Sequence, residues 1–226
     1  MKRLSLLVLL TLAGMIALAQ SGKEFEKNAT EAYQAKNYQK AFLDYSRAAE
    51  AYETEGKVDT SLYYNTTIAG YKAKKYEELI PYAQKAIDLK YEKAHLAYFI
   101  MAISYEKLDK EDKYLETLIK GHEAFPKYSK ISKKLAIAYL KEGMKPYQEG
   151  AKIITDAEPM RETDTDNYLK EVEKANAKFK EALEIFLKAY EANNKEEQVL
   201  KVLLTVYQSL EMEDKASEID EKLKSI

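Results

Sequence analysis

Cysteine and tryptophan are missing from this 226-residue chain, proline occurs four times, glycine seven times and histidine twice. Without a thiol there is no disulfide, no thiolate metal site and no cysteine nucleophile, and cysteine usage says nothing of the compartment. So few helix breakers leave long stretches free to coil. Two imidazoles make histidine-based chemistry scarce. Glu92 and His95 have the i, i+3 spacing of carboxylate-bridged di-metal bundles, but such a site needs a second pair, and Ile119 stands at the matching position before His122. Both histidines are read as structural. There is no glycine-rich phosphate loop, nucleophile elbow or metalloprotease helix motif. Neighbouring carboxylates such as Glu77-Glu78 and Glu196-Glu197 splay around a helix instead of converging. No catalytic, cofactor-binding or metal-ligating residue is expected, and no cofactor.

An excess of one charge is also lacking, with 36 basic and 38 acidic residues, net −2. That balance gives no electrostatic case for nucleic acid or an anionic membrane. What the chain does have is 46% apolar residues, 33% charged residues dominated by Lys and Glu, 19 Tyr and six Phe, a composition suited to folded helices. Tyrosine joins an apolar ring to a wet hydroxyl and fits half-buried helix positions.

Met1-Lys2-Arg3 followed by the apolar run Leu4–Ala19, closing on Ala17-Leu18-Ala19, has the form of a secretory signal peptide. The run falls short of the ~20 residues a spanning helix needs, so cleavage is expected and no stable membrane span remains. No cysteine follows it, which excludes a lipoprotein. The mature chain Gln20–Ile226 keeps 34 basic and 38 acidic residues, net −4, and is expected to be periplasmic or secreted.

From Phe25 onward, helical periodicity is nearly continuous. Ala41, Tyr45 and Ala48 find a counterpart in Leu79, Ala83 and Ala86; Ala182, Phe186 and Ala189 find one 34 residues later in Ala216, Asp220 and Leu223. A period in this range means stacked helical hairpins, each too small to bury its own apolar face. Turns are expected at Lys36-Asn37, Gly56 and Lys74-Lys75, with Asp59 or Thr60 capping a helix. Asn28-Ala29-Thr30 and Asn65-Thr66-Thr67 match the N-glycosylation pattern but fall inside expected helices, so both are taken as chance. The fourth repeat departs from the rest. Tyr147, Ala151 and Ile154 extend its first helix to Ala157, and Tyr168, Val172, Ala175 and Phe179 lead into Ala182. Either this is an elongated hairpin kinked at Pro146, or an extra repeat is present. The lack of a helix break between Tyr168 and Ala192 favours the hairpin.

Phe25-x3-Ala29, Ala41-x3-Tyr45-x2-Ala48 and Tyr98-x3-Ala102-x2-Tyr105 with Pro126 resemble the tetratricopeptide repeat, a large, a small and an aromatic residue per first helix. Asp220, where that pattern has an aromatic residue, marks the last helix as a polar cap. The resemblance implies an all-α, right-handed superhelical α-solenoid of antiparallel helix pairs with one elongated hairpin. It would form a single domain over 22–226, with units at about 22–56, 59–90, 93–126, 128–193 and 195–224. In that family the first helix of each unit lines the concave surface, at positions one beyond the buried stripe. Here those are Glu26, Thr30 and Tyr33; Tyr64, Ile68 and Tyr71; Phe99, Ile103 and Glu106; Lys133, Ile137 and Leu140. Tyr33, Tyr64, Ile68, Tyr71, Phe99 and Ile103 then either form an apolar partner-binding strip or fold onto adjacent helices and thicken the core. Glu26 and Thr30 stand where a chaperone-binding subset of the family places basic and amide groups, so that carboxylate clamp is not expected. The function expected is an exported, non-enzymatic scaffold for a protein or peptide. Its rivals are a structural, self-associating envelope protein using the hairpin 145–179, and a helical enzyme or small-ligand binder.

Overall fold

Six of the helix-ending turns share one device. Lys36, Gly56, Lys74, Lys90, Asp109 and Glu211 adopt left-handed φ values between 53° and 70°. At the first turn, Lys36 N–H bonds to the Tyr33 carbonyl (3.0 Å) and Asn37 N–H to that of Ala32 (2.9 Å). Lys74 and Lys75 repeat the arrangement on Tyr71 and Gly70 at 3.1 and 2.8 Å. This double bond pattern satisfies the last carbonyls of a helix and reverses the chain within a few residues. Helix starts are tied down as well: Asp59 Oδ1 accepts from the N–H groups of Ser61 (2.8 Å) and Leu62 (3.1 Å), and Asn37 Oδ1 from that of Lys40 (3.2 Å).

The computed structural model describes residues 21–226, so the leader at 1–19 lies outside the described residues. Among the described residues there are ten α-helices and no strand. The chain divides into two compact units, one through Tyr114 and one from Leu115.

The first unit contains α1 (Gly22–Gln34), α2 (Tyr38–Thr54), α3 (Thr60–Lys72), α4 (Tyr76–Asp88) and α5 (Ala94–Lys107), and the start of α6 (Glu111–Ala124). From α1 to α5 each helix packs on the next, and α3 also meets α5. Small residues line these contacts: Ala29, Ala41, Ala48, Ala69, Ala83, Ala86, Ala97 and Ala102 are all fully buried. Short side chains let helix axes come close, and the large residues Leu62, Tyr63 and Leu79 fill what remains. Thr66 and Thr67, inside α3 and without solvent contact, return their hydroxyls to the carbonyls of Leu62 and Tyr63 at 2.8 Å each.

The second unit holds the rest of α6, then α7 (Ser129–Ala157), a 3-10 turn (Glu158–Met160), α8 (Thr165–Ala192), α9 (Glu197–Ser209) and α10 (Glu213–Lys224). Helix α8 is unbroken from Thr165 to Ala192, and it forms with α7 an elongated hairpin, not an extra repeat. Pro146 lies inside α7 and removes one ladder hydrogen bond, yet the helix continues through it. The two arms interlock. Gly143 faces the Phe186 ring, Gly150 faces Phe179, and Tyr147 between them lies 6.4 and 5.6 Å from those rings. Positions seven apart on each arm thus form two notches filled by two rings, and Lys178 bridges back to Glu149 at 2.9 Å. The last helix buries Ala216 and Ile219 while turning its acidic and basic residues outward, the polar cap that Asp220 suggested.

Candidate protein-binding surface

Helices α1, α3 and α5 are the first members of successive pairs, and they carry all six residues of the expected strip. The structure treats those six differently. Tyr64 and Ile103 are each 7% exposed and belong to the interior. Tyr33, Ile68 and Phe99 are half-buried, and Tyr71 is exposed at 36%. Tyr33, Tyr64 and Ile68 share one apolar cluster built on Ala29, Ala69 and Ala97. Tyr64 leans on Tyr91, ring centroids 5.0 Å apart. Phe99 and Ile103 are not members of that cluster. Helices α3 and α5 are buried almost all round, so a one-residue offset from the core stripe still leads into the interior.

Two residues outside the expected strip, Tyr38 and Tyr76, complete the accessible part. Tyr33 meets Tyr38 across the first turn (5.3 Å, 66°), and Tyr71 meets Tyr76 across the equivalent turn (6.0 Å, 60°). Lys72 Nζ sits 5.2 Å from the Tyr38 ring and joins one pair to the other. The signal was legible: Tyr33 and Tyr38 recur 38 residues later as Tyr71 and Tyr76. Following stripes within single helices hides a pair that spans a turn.

Polar clips tie α1 to α4 together at the helix ends away from these two turns. The Tyr52 hydroxyl donates to Glu26 at 2.7 Å, and that bond, then burial, pushes its phenol up to about 12. The Tyr63 hydroxyl donates to Glu53 at 2.7 Å; burial first, then this bond, brings it to about 12 as well. Glu53 also receives Lys85, whose ammonium stands 5.2 Å from the Tyr63 ring, and its carboxyl is lowered chiefly by that lysine. One carboxylate thereby links α2, α3 and α4. Burial raises the Tyr33 phenol too.

One of the two imidazoles is tied into a helix corner. His122 Nδ1 pairs with Ser132 Oγ at 3.1 Å, but Ser132 is 7% exposed and also reaches the carbonyls of Pro126 and Tyr128. The pair fastens the corner between α6 and α7. Among the described residues no group of three or more His, Asp or Glu side chains is placed to hold a metal ion.

The fold has close counterparts among solved structures. A TPR repeats protein (BF2334) from Bacteroides fragilis NCTC 9343 is similar with a TM-score of 0.60 and 25% identity, over 84% of this chain and 99% of that one. The MamA protein superposes with a TM-score of 0.51 at 12% identity, over 89% of each chain, a likeness of fold alone. No protein-family model matches the chain, and no curated protein matches it. The chain therefore has the all-α, TPR-like α-solenoid fold of antiparallel helix pairs, with one elongated hairpin.

Proposed function

We propose that the chain is an exported, non-catalytic interaction scaffold that holds a protein or peptide partner on the side chains left accessible by α1 and α3. One observation carries the reading. Tyr33, Ile68 and Tyr71 stay half-buried or exposed, while the residues beside them in sequence, Ala32, Ala69 and Gly70, are buried. Accessible aromatic and aliphatic side chains on a rigid helical support are the usual anchors of protein interfaces. Tyrosine is favoured there because few of its torsions must be frozen on binding. The fold shared with a TPR repeats protein supports the same reading. Export rests on the leader Met1–Ala19, and no helix among the described residues is long and apolar enough to cross a membrane.

The test is affinity capture from envelope extract by the chain beginning at Gln20, compared with a Tyr33→Ala/Ile68→Ala/Tyr71→Ala variant. Loss of specific captured proteins by the variant is expected; an identical set refutes the surface. Intact mass of the native protein tests export, with a product starting at Gln20 expected. A chain that retains residues 1–19 in the cytosol refutes it.

A further inference from the structure

We propose that the turn edge of the first two helix pairs docks an acidic, extended segment of the partner. The inference rests on the scaffold reading above and adds the chemistry of what is bound. The four tyrosines form one strip, Tyr33–Tyr38 and Tyr71–Tyr76, bridged by Lys72 over the Tyr38 ring. Lys36 lies between the first two rings in sequence and Lys74 between the second two, each at the exposed, left-handed position of its turn.

Charge then selects the ligand. Elsewhere on this surface lysines are neutralised locally: Lys40 engages Asp44, Lys75 pairs with Glu78 at 3.0 Å, and Lys110 with Glu77 at 2.7 Å. Among the described residues, Lys36, Lys72 and Lys74 have no carboxylate within 4.0 Å. Three uncompensated cations beside four rings, on a chain of net charge −2, make a local positive site in an otherwise balanced surface. The equivalent turn of the third pair carries Asp109, with Glu106 and Glu111 where the tyrosines stood. The basic turn residue and the two rings that would hold an acidic segment at the first two turns are thus not repeated at the third, which limits its length.

The site fits carboxylates better than nucleic acid. The rings meet one another at 60° and 66° and are not displayed as free flat faces for bases to stack on, and the balanced charge of the chain gives no electrostatic case for a phosphate backbone. Ammonium groups take side-chain carboxylates, while the tyrosines offer edges to aliphatic stems and hydroxyls to an extended backbone.

Fluorescence anisotropy tests this with a labelled peptide in which Glu and Leu alternate around a central Pro, its Lys-for-Glu counterpart, and an oligothymidine competitor. The acidic peptide is expected to bind and to weaken as salt rises. A Lys36→Gly/Lys72→Gln/Lys74→Gly variant should bind it roughly tenfold less well, as three modest exposed ion pairs imply. Glycine suits the left-handed turns, so this variant should keep its helical circular dichroism and unfold no earlier than the parent chain. No binding of the acidic peptide, equal binding by the variant, equal binding of the Lys counterpart, or full competition by oligothymidine each overturns the proposal. Partner capture separates it from the scaffold reading. If capture survives the lysine variant but not Tyr33→Ala/Ile68→Ala/Tyr71→Ala, the scaffold stands and the acidic ligand falls; if capture survives both, both fall.

Discussion

Gly143→Ala should destabilise this protein even though alanine is the better helix former. A Cβ at position 143 would lie 2.5, 2.8 and 3.2 Å from three atoms of the Phe186 ring. That ring is 0% exposed and has Tyr147 as a neighbour at 6.4 Å, so it has little room to retreat. Overpacking of this kind costs about 1–3 kcal/mol, and three short contacts on a confined ring argue for the upper part of that range. Replacing glycine by alanine in a helix interior returns about 1 kcal/mol. The net expectation is a loss of about 1–2 kcal/mol. A second background isolates the clash: in Phe186→Leu the ring is gone, and Gly143→Ala should there become stabilising by about 1 kcal/mol. Urea unfolding followed by helical circular dichroism reads both backgrounds, with midpoints compared only where the slope is unchanged. If Gly143→Ala raises the midpoint in both backgrounds, the notch does not exist as described.

Two further outcomes follow from the turns and the clips. Lys36→Gly and Lys74→Gly each relieve a left-handed φ near 60°. That relief is worth about 1–2 kcal/mol, offset by the ~0.5–1 kcal/mol that glycine adds to unfolded-chain entropy. A small rise in unfolding midpoint is expected for each, and a fall would show that the lysine side chains hold the turns. Alkaline stability tests the tyrosines. Tyr52, Tyr63 and Tyr114 are raised from 10.0 to about 12 in the folded chain, the last by burial and then by Glu106. Above pH 10 the unfolded chain releases these protons while the folded one keeps them, so stability is intact below about 10 and falls between 10 and 12. Phenolate absorbance should show their ionisation coinciding with loss of helix; ionisation of all tyrosines near 10 in a still-folded chain would refute the shifts.

Much of the fold could be read from residue spacing because its rules are local. Alanines at Ala41, Ala48, Ala83 and Ala86 mark helix contacts, Asp59 marks a start, and the stretch from Tyr168 to Ala192 lacks any breaker; each meaning survives without knowledge of a neighbour. The accessible strip was less legible because exposure is set by several helices at once. Tyr64 follows Tyr63 by about 100° around α3, enough to leave the core in an amphipathic helix, yet both are buried since α3 touches α2, α4 and α5. Gly143 and Gly150 were hidden for a related reason. Glycine in a helical run reads as a weakness, and only the rings opposite turn it into a notch.

The two units solve the same burial problem with different lengths of helix, and this bears on where binding belongs. In the second unit, α7 and α8 run 29 and 28 residues and interlock along their own hairpin. In the first unit, α1 and α3 are 13 residues each, too short to be stable alone, and hold their shape only through adjacent helices. Helix α3 reaches solvent mainly at its ends and at Asn65, Ile68 and Tyr71, so a partner touching Ile68, Tyr71 and Tyr33 grips α1 and α3 together. Such a partner binds only the assembled pair, and by linkage it must stabilise the first unit by RT ln(1 + [L]/Kd). Hydrogen exchange should therefore slow in α1 and α3 on binding. An interface that left those amides unchanged while protecting α7 and α8 would place the binding surface on the hairpin.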